Sequence, residues 1–404
     1  MIKNNLNFLN NIQKKNLDSK SIKKFTKLFP KIFSKVFTDI NSSKKTLNIL
    51  NRKFNFNFEF KDLEKFKSFK TIAIIGMGGS ILGSEAVSHF LKEKINKKIY
   101  FFNDLNIKKI QNFKKKKNLN KVLFFVISKS GNTVETLSNF FTLKIIKKNS
   151  KNIIIISEKK NNLLYSLSKK FNLFYIEHKN YIGGRYSVLS EAGVVPAYLM
   201  GININKLRSG SLKSLKKTQL FLKDSTIMLS SLLSFKKIDN LIFLNYCPEL
   251  EKFLFWCQQL IAESLGKNGK GFLPTISNAP KDHHSLLQLY LDGPKNKLFY
   301  IFSHEESSKE KINIKEILKE KNFLNNKTLS SIKKAQKNAL IKTLKNKNIP
   351  FREFKIKNIN EEVLGELFSY FILETVIIGK LTNINPFDQP AVEQVKIYTK
   401  DLLN

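Results

Sequence analysis

The segment Ser128-Lys129-Ser130-Gly131-Asn132-Thr133, continued by Val134-Glu135-Thr136, gathers three hydroxyls, an ammonium group and a glycine into six residues. If a helix starts just beyond Thr133, its first amides lack intrahelical partners and its dipole is positive there. A phosphate would then be held by free N–H groups and by the hydroxyls of Ser128, Ser130 and Thr133. Gly131 would let the backbone come close to it. The same residue types also suit an ordinary helix N-cap with no ligand, and the motif by itself leaves both readings open.

Other clusters have chemistry of their own. Gly76-Met77-Gly78-Gly79-Ser80 closes an apolar run and opens a helix. It resembles a dinucleotide fingerprint only in part: Asp104 follows the next strand as a ribose ligand would, but the glycine spacing is wrong. Two strand-to-helix turns that supply hydroxyls and amides suit a small phosphorylated molecule better. Gly183-Gly184-Arg185-Tyr186-Ser187 offers close backbone approach and a fixed fork of donors for an oxyanion, or simply a turn with a surface arginine. Glu263, near the end of an apolar helix, is a candidate base, although such a carboxylate is most simply a solvated helix-face group. His283 and His284 are adjacent, so they face different directions, and no carboxylate or thiolate cluster completes a metal site around them; no metal is expected. Pro390 is placed to begin a helix beyond Asn385-Pro386-Phe387-Asp388-Gln389, which would set Gln389 and Lys396 near one ligand or leave them on the surface.

The elements that must position these residues follow from periodicity. Residues 71–76, 99–103, 122–127, 153–157 and 173–177 read as strands, with helices such as 81–91 and 133–148 between them. Strands alternating with helices predict a parallel sheet covered on both faces, with ligands gathering beyond the carboxyl ends of its strands. A second alternation has strands at 241–246, 298–303 and 351–356 and helices at 250–265 and 363–378. Phe25, Leu28, Phe29, Ile32 and Phe33 sit at helical spacing in a Lys- and Phe-rich beginning that reads as packing helices. At 404 residues, two domains are expected. We divide the chain into an N-terminal helical segment (1–60), a first domain (61–205), a helical connection (206–234), a second domain (235–384) and a C-terminal segment with a helix (385–404).

The chain carries 71 Lys+Arg against 32 Asp+Glu, a formal charge of +39. Such a balance raises nucleic acid or an anionic membrane as a partner. The lysines, however, are dispersed among Asn, Ile and Phe rather than gathered on one element, which reads as a solvated basic surface. Cys247 and Cys257 lie among apolar residues and read as buried thiols of a reducing compartment. No apolar stretch is long enough to span a bilayer, and residues 1–20 contain no secretory apolar core, so a soluble, cytoplasmic protein is expected.

Taken in order, the Gly76–Ser80 turn, the 128–136 segment, Gly183–Ser187, Glu263–Lys267 leading to His284-Ser285, and Asn385–Lys396 resemble the glucose-6-phosphate isomerases of the shorter bacterial kind. The resemblance covers about residues 71 to 396. It implies an α/β fold of two sugar isomerase (SIS) domains, each a doubly wound parallel sheet flanked by helices, and a site at a homodimer interface. It implies reversible conversion of glucose 6-phosphate to fructose 6-phosphate through ring opening and an enediolate, within glycolysis and gluconeogenesis and without a cofactor. By the same resemblance Glu263 shuttles the proton, and His284, supplied by the neighbouring subunit, assists ring opening. Lys396 is the terminal lysine of the site, Arg185 lies beside the enediolate and Gln389 faces the substrate. Gly79, Ser80, Ser128, Lys129, Ser130 and Thr133 make the phosphate and sugar contacts, with Glu135 in the same pocket. The chain departs from the family pattern at Met77, at Asn132, where a second Thr is common, and at Ala391, where Gly is usual. Three rival readings compete with this one: a sugar-phosphate sensor without turnover, an isomerase that also takes mannose 6-phosphate, and a polyanion-binding protein. The sensor would not need Glu263, His284 and Lys396 together, and Lys129 suits the glucose-specific kind.

Overall fold

The computed structural model describes residues 6–404 except 218, 236, 307 and 315–321. Ten strands occur among the described residues: β1 (Leu6–Asn11), β2 (Thr71–Gly76), β3 (Lys98–Phe102), β4 (Val122–Ile127), β5 (Ile153–Ser157), β6 (Phe174–Glu177), β7 (Asn240–Asn245), β8 (Leu273–Asn278), β9 (Lys297–His304) and β10 (Phe351–Ile356). They form two five-stranded sheets, ordered β3-β2-β4-β5-β6 and β1-β10-β9-β7-β8. Every pairing is parallel except that of β1 with β10. In each sheet the chain steps outward to one side and then to the other, so a topological switch lies between β2 and β4 and again between β7 and β9. Crevices beyond the carboxyl ends of strands at such switches are where ligands bind in this architecture.

The sheets are buried on both faces, as their apolar runs require. Along β4, Leu123, Phe125 and Ile127 enter a core shared by both sheets, while Val122, Phe124 and Val126 face a separate outer cluster. β9 divides the same way, with Leu298, Tyr300 and Phe302 inward and Phe299 and Ile301 outward. The helices Glu251–Leu265 and Glu361–Leu381 lie in the shared core, and the second is buried along almost its whole length. Burial of that length explains why its sequence is apolar all round rather than on one stripe.

Several expectations need correction. The beginning of the chain is not wholly helical: Leu6–Asn11 is a strand that completes the edge of the second sheet, where Phe8 packs against Phe221, Phe354 and Tyr370. β8 was not foreseen. The helix read over 133–148 runs only over Val134–Leu143 and stops at Lys144 in the left-handed region. The described residues of 206–234, read as a helical connection, are helical as expected, in Ile204–Lys217 and Gln219–Phe235, both packed on Glu361–Leu381. Cys247 and Cys257 are free and buried, and burial pushes both thiols up from their ordinary pKa. No described helix is long and apolar enough to cross a membrane.

Candidate active site

β4 delivers Ser128, itself buried, at the carboxyl edge of the first sheet. Register pairs Gly76 with Ile127, so the Gly76–Ser80 turn and the 128–133 loop stand side by side at the switch point. Within the loop Ser128 Oγ lies 2.8 Å from Thr133 Oγ1, and each lies 3.4 Å from Ser130 Oγ. The helices beginning after Asp18, Asn106, Asn162, Thr328 and Asn360 have side-chain acceptors on their first amides. Thr133 occupies the N-cap of Val134–Leu143 without making such a bond. Several other helices, such as Leu82–Phe90 and Glu251–Leu265, also lack such a bond, so what distinguishes this helix start is the three clustered hydroxyls beside its open amides, an arrangement able to hold an anion.

The loop is braced from below. Gly131 has φ +71°, and a Cβ there would fall 1.8 Å from Asn162 Oδ1, so only glycine fits. Asn132 Oδ1 accepts the Leu163 amide at 2.9 Å, which gives this chain's departure from the family pattern a fastening role. The Glu158 amide donates to the Lys129 carbonyl at 3.0 Å, and Lys129 Nζ lies 3.7 Å from Glu158 Oε1. Burial pulls the Lys129 ammonium below its ordinary pKa, and Glu158 opposes that shift. Beneath them His178 is completely buried, and desolvation lowers its pKa to about 4.

Arg185 is the centre of the second group. It is 3% exposed, and each of its five N–H groups has a partner. Nε donates to Ser264 Oγ at 2.8 Å, Nη1 to Glu263 Oε2 at 3.0 Å and Gln389 Oε1 at 2.8 Å, and Nη2 to the carbonyls of Pro386 at 2.7 Å and Asp388 at 3.0 Å. Trp256 Nε1 donates to the Arg185 carbonyl at 3.0 Å. Three stretches far apart in sequence thus converge on one guanidinium. Glu263 is held on both oxygens, because Gln259 Nε2 donates to Oε1 at 2.8 Å from one turn earlier on the same helix face. Sequence reasoning missed Gln259, although its position four residues before Glu263 was the available signal. It also missed the placement of Lys267, whose Nζ reaches Asp388 Oδ1 and the Asp388 carbonyl, each at 2.6 Å, and so pins the segment that carries Gln389.

The Gly76–Ser80 turn joins the two groups. A Cβ on Gly79 would lie 2.2 Å from the carbonyl carbon of Gly184, so the turn packs directly on the backbone of the Arg185 turn while flanking the 128–133 loop on its other side. Ser80 belongs to that same turn. Anion seat and carboxylate–guanidinium pair are therefore neighbours across a single short turn of backbone. Glu263, with 31% of its side chain exposed, is open to a ligand.

Three expected residues are not drawn in. Lys396 is exposed and pairs with Glu393 at 2.7 Å. His284 is exposed at the end of a 3-10 turn, Lys281–His284, rather than on a helix. Among the described residues no hydrogen bond links it to Arg185, Glu263 or the loop. Glu135 stands half-buried in the first turn of Val134–Leu143, with no polar contact to the hydroxyl cluster.

Comparison with known proteins adds an independent line. The family described as Phosphoglucose isomerase matches residues 33–404. The glucose-6-phosphate isomerase of Methanocaldococcus jannaschii is 33% identical over 349 residues, covering 83% of this chain and 86% of that protein. The glucose-6-phosphate isomerase of Campylobacter jejuni is 29% identical over 349 residues, with coverage of 83% and 86%. Among solved structures, a hypothetical protein from Thermus thermophilus superposes with a TM-score of 0.82 at 21% identity, covering 98% of this chain and all of that one. A glucose-6-phosphate isomerase from Chlamydia trachomatis gives 0.77 at 16% identity, with coverage of 99% and 88%. At these identities the structural likeness speaks for the fold.

Proposed function

We propose a division of labour for the site of this chain, which belongs to the phosphoglucose isomerase family: an aldose–ketose isomerase that interconverts glucose 6-phosphate and fructose 6-phosphate, with Glu263 moving the proton. The observation that carries the reading is the contact of Glu263 with the buried Arg185, one glycine-rich turn away from a hydroxyl-lined helix N-terminus.

The phosphate sits against Ser128, Ser130, Thr133 and the open amides, with Ser80, Gly79 and Lys129 at its margin and Glu135 on the sugar side. This remote binding energy fixes the sugar's register toward Glu263. A proton beside a carbonyl is acidic because the charge left behind spreads onto oxygen, so the site needs a placed carboxylate and a cation at the developing enediolate. Glu263 takes the proton from one carbon and returns it to its neighbour. Arg185 has all its donors engaged, so it acts through its fixed charge and through Nη1, which lies between Glu263 and Gln389. Gln389 holds the sugar hydroxyls. No redox step occurs, and no cofactor or metal takes part.

Ring opening needs a proton relay that a single copy does not assemble around Glu263. We assign it to His284 of a second copy, with Lys396 brought in by the same association. The helix Glu393–Asp401 favours this, since it buries none of its residues and leaves Val395, Ile397, Tyr398, Leu402 and Leu403 exposed. We further assign the two sheets to units of residues 61–205 and 235–384 bridged by 206–234. The substrate and the buried free thiols fit a cytoplasmic enzyme acting in glycolysis and gluconeogenesis.

The test is a coupled assay with fructose 6-phosphate on the parent and on Glu263→Gln. The variant is expected to lose about 10²- to 10⁴-fold in kcat while keeping its fold and its affinity for phosphate ligands. Near-parental turnover would overturn the assignment. Mixing Glu263→Gln with His284→Ala chains should regenerate one intact site per mixed dimer, and no recovery would remove His284 from the shared site.

A further inference from the structure

The second sheet holds a cavity at each of its two strand ends, and the two differ in charge arrangement. The first, about 390 Å³, lies beyond the carboxyl ends of β7 and β9. Of its four lysines, Lys333 pairs with Glu306 at 2.7 Å, and Lys337 and Lys355 pair with Glu353 at 2.5 and 3.4 Å. Glu305 and Glu306 also line it. Its positive charge is largely answered from within.

The second, about 320 Å³, lies at the amino-terminal ends of β7, β9 and β10, on the outer face that carries Tyr290 and Ile349, whereas the helix of Glu263 packs on the inner face in the shared core. Lys15, Lys237, Lys295, Lys297 and Lys347 line it, and no carboxylate among the described residues does. Lys297 is 8% exposed. Its ammonium finds only neutral oxygens, the Pro294 carbonyl at 2.6 Å and Asn296 Oδ1 at 3.4 Å. Burial and the nearby Lys295 hold its pKa below the ordinary value. Asp239, the carboxylate that opposes this shift, is occupied by the side-chain amides of Asn240 and Asn296 at 2.6 and 2.8 Å. Asn16 also lines the cavity, with its Nδ2 enclosed in the wall and without an acceptor.

A buried ammonium without a counter-charge is costly, and like charges facing one another in a partly dry space raise that cost. A space of this volume is roughly one Debye length across at physiological salt, so these lysines act on its contents together while lysines elsewhere on the chain are screened. Donors are in excess and carboxylates are absent from the lining. The missing complement is an anion with several oxygens and more than one charge, and a chain of linked phosphates supplies both.

We propose that this cavity binds the linear oligophosphate group of a small molecule, either free tripolyphosphate or the triphosphate of a nucleotide, at a site separate from the catalytic cleft. Lys297 takes an inner oxygen, and the exposed lysines at the rim neutralise the rest. The local concentration of charge, rather than the formal +39 of the whole chain, sets its affinity.

The test uses the full chain at physiological salt and titrates tripolyphosphate and, separately, ATP by calorimetry, with fructose 6-phosphate saturating. One equivalent of either should bind under these conditions. The double variant Lys237→Glu with Lys347→Glu, at exposed positions, should weaken binding by about tenfold or more. Lys115→Glu with Lys116→Glu, on a helix of the first sheet, should change it less than about twofold, thermal unfolding confirming that both variants fold. Equal affinity for the two probes identifies the phosphate chain as the recognised group, and tighter ATP binding adds the nucleoside to the site. Three outcomes would each overturn the proposal: no binding of either probe, displacement by fructose 6-phosphate, or equal weakening by the two double variants.

Discussion

Replacing Arg185 by Lys keeps the charge and removes the fork, so it separates the two duties assigned to this residue. Five acceptors now lie 2.7 to 3.0 Å from its five N–H groups. An ammonium brings three donors from one point, which withdraws at least two of these contacts. Ser264 Oγ and the Pro386 and Asp388 carbonyls keep Tyr186 or Lys267 as a partner, so Glu263 Oε2 and Gln389 Oε1 are the acceptors that can be left bare. Each buried acceptor without a partner costs about 1–3 kcal/mol, so the site loses at most about 2–6 kcal/mol. The lower half applies if water enters beside Glu263, whose side chain is 31% exposed. The Pro386 and Asp388 carbonyls stay held by Tyr186 and Lys267, so the loosening should centre on the Gln389 side chain, which loses its bond to Nη1. Loss of one preorganised donor at a developing oxyanion typically lowers kcat about 10²- to 10³-fold, and a similar fall is expected here, with a smaller rise in KM because the phosphate seat is untouched. The coupled assay gives kcat and KM, and thermal unfolding gives the stability change. A variant with kcat within about threefold of the parent and an unchanged melting profile would refute the duty of the fork and leave the charge as the only one.

Two further outcomes follow from the first sheet. Ser128→Ala with Thr133→Ala removes two of the three clustered hydroxyls, so KM should rise about tenfold or more while kcat changes less, and competition by inorganic phosphate should weaken in parallel; unchanged KM and phosphate inhibition would remove the loop from substrate binding. His178 is buried neutral with a pKa of about 4 against 6.5 for the free side chain. As pH falls below 6.5 the unfolded chain takes up this proton first, and stability should drop by about 1.4 kcal/mol per pH unit until about pH 4. Urea unfolding at neutral pH and at about pH 5 should therefore differ by about 2 kcal/mol more in the parent than in His178→Gln, and equal differences would show that this histidine does not set the acid response.

The first sheet was legible because each of its strands is a short apolar run bounded by polar turns, and β2, β4 and β5 begin and end where periodicity put them. β8 was hidden by Pro274 and by its polar residues; it survives as a strand because it occupies a sheet edge, where a missing N–H is tolerated. β1 was hidden for a different reason. Leu-Asn-Phe-Leu-Asn-Asn has no clean alternation, and its partner, β10, lies at the other end of the sequence. Within the site, residue types marked the hydroxyl loop, whose chemistry is local, whereas Arg185 and Glu263, each with a plain surface reading, took their roles from the family resemblance. The bonds from Gln259 and Lys267 depend on where helix and tail meet, which no single segment encodes. Lys396 and His284 were legible only through family resemblance, and nothing in the monomer's packing positions them.

The edge strand β1 also has a bearing on how the molecule is made. Its partner leaves the ribosome about 345 residues later, which at typical synthesis rates is roughly 20 to 70 s. Until then Leu6–Asn11 has no sheet to join, and until it docks β10 presents an open edge of the kind that recruits foreign strands. Completion of the second sheet thus joins segments synthesised far apart in time into a single closing step. A bulky fusion ahead of Leu6 would act on that step, lowering the yield of folded enzyme without touching any residue of the catalytic cleft.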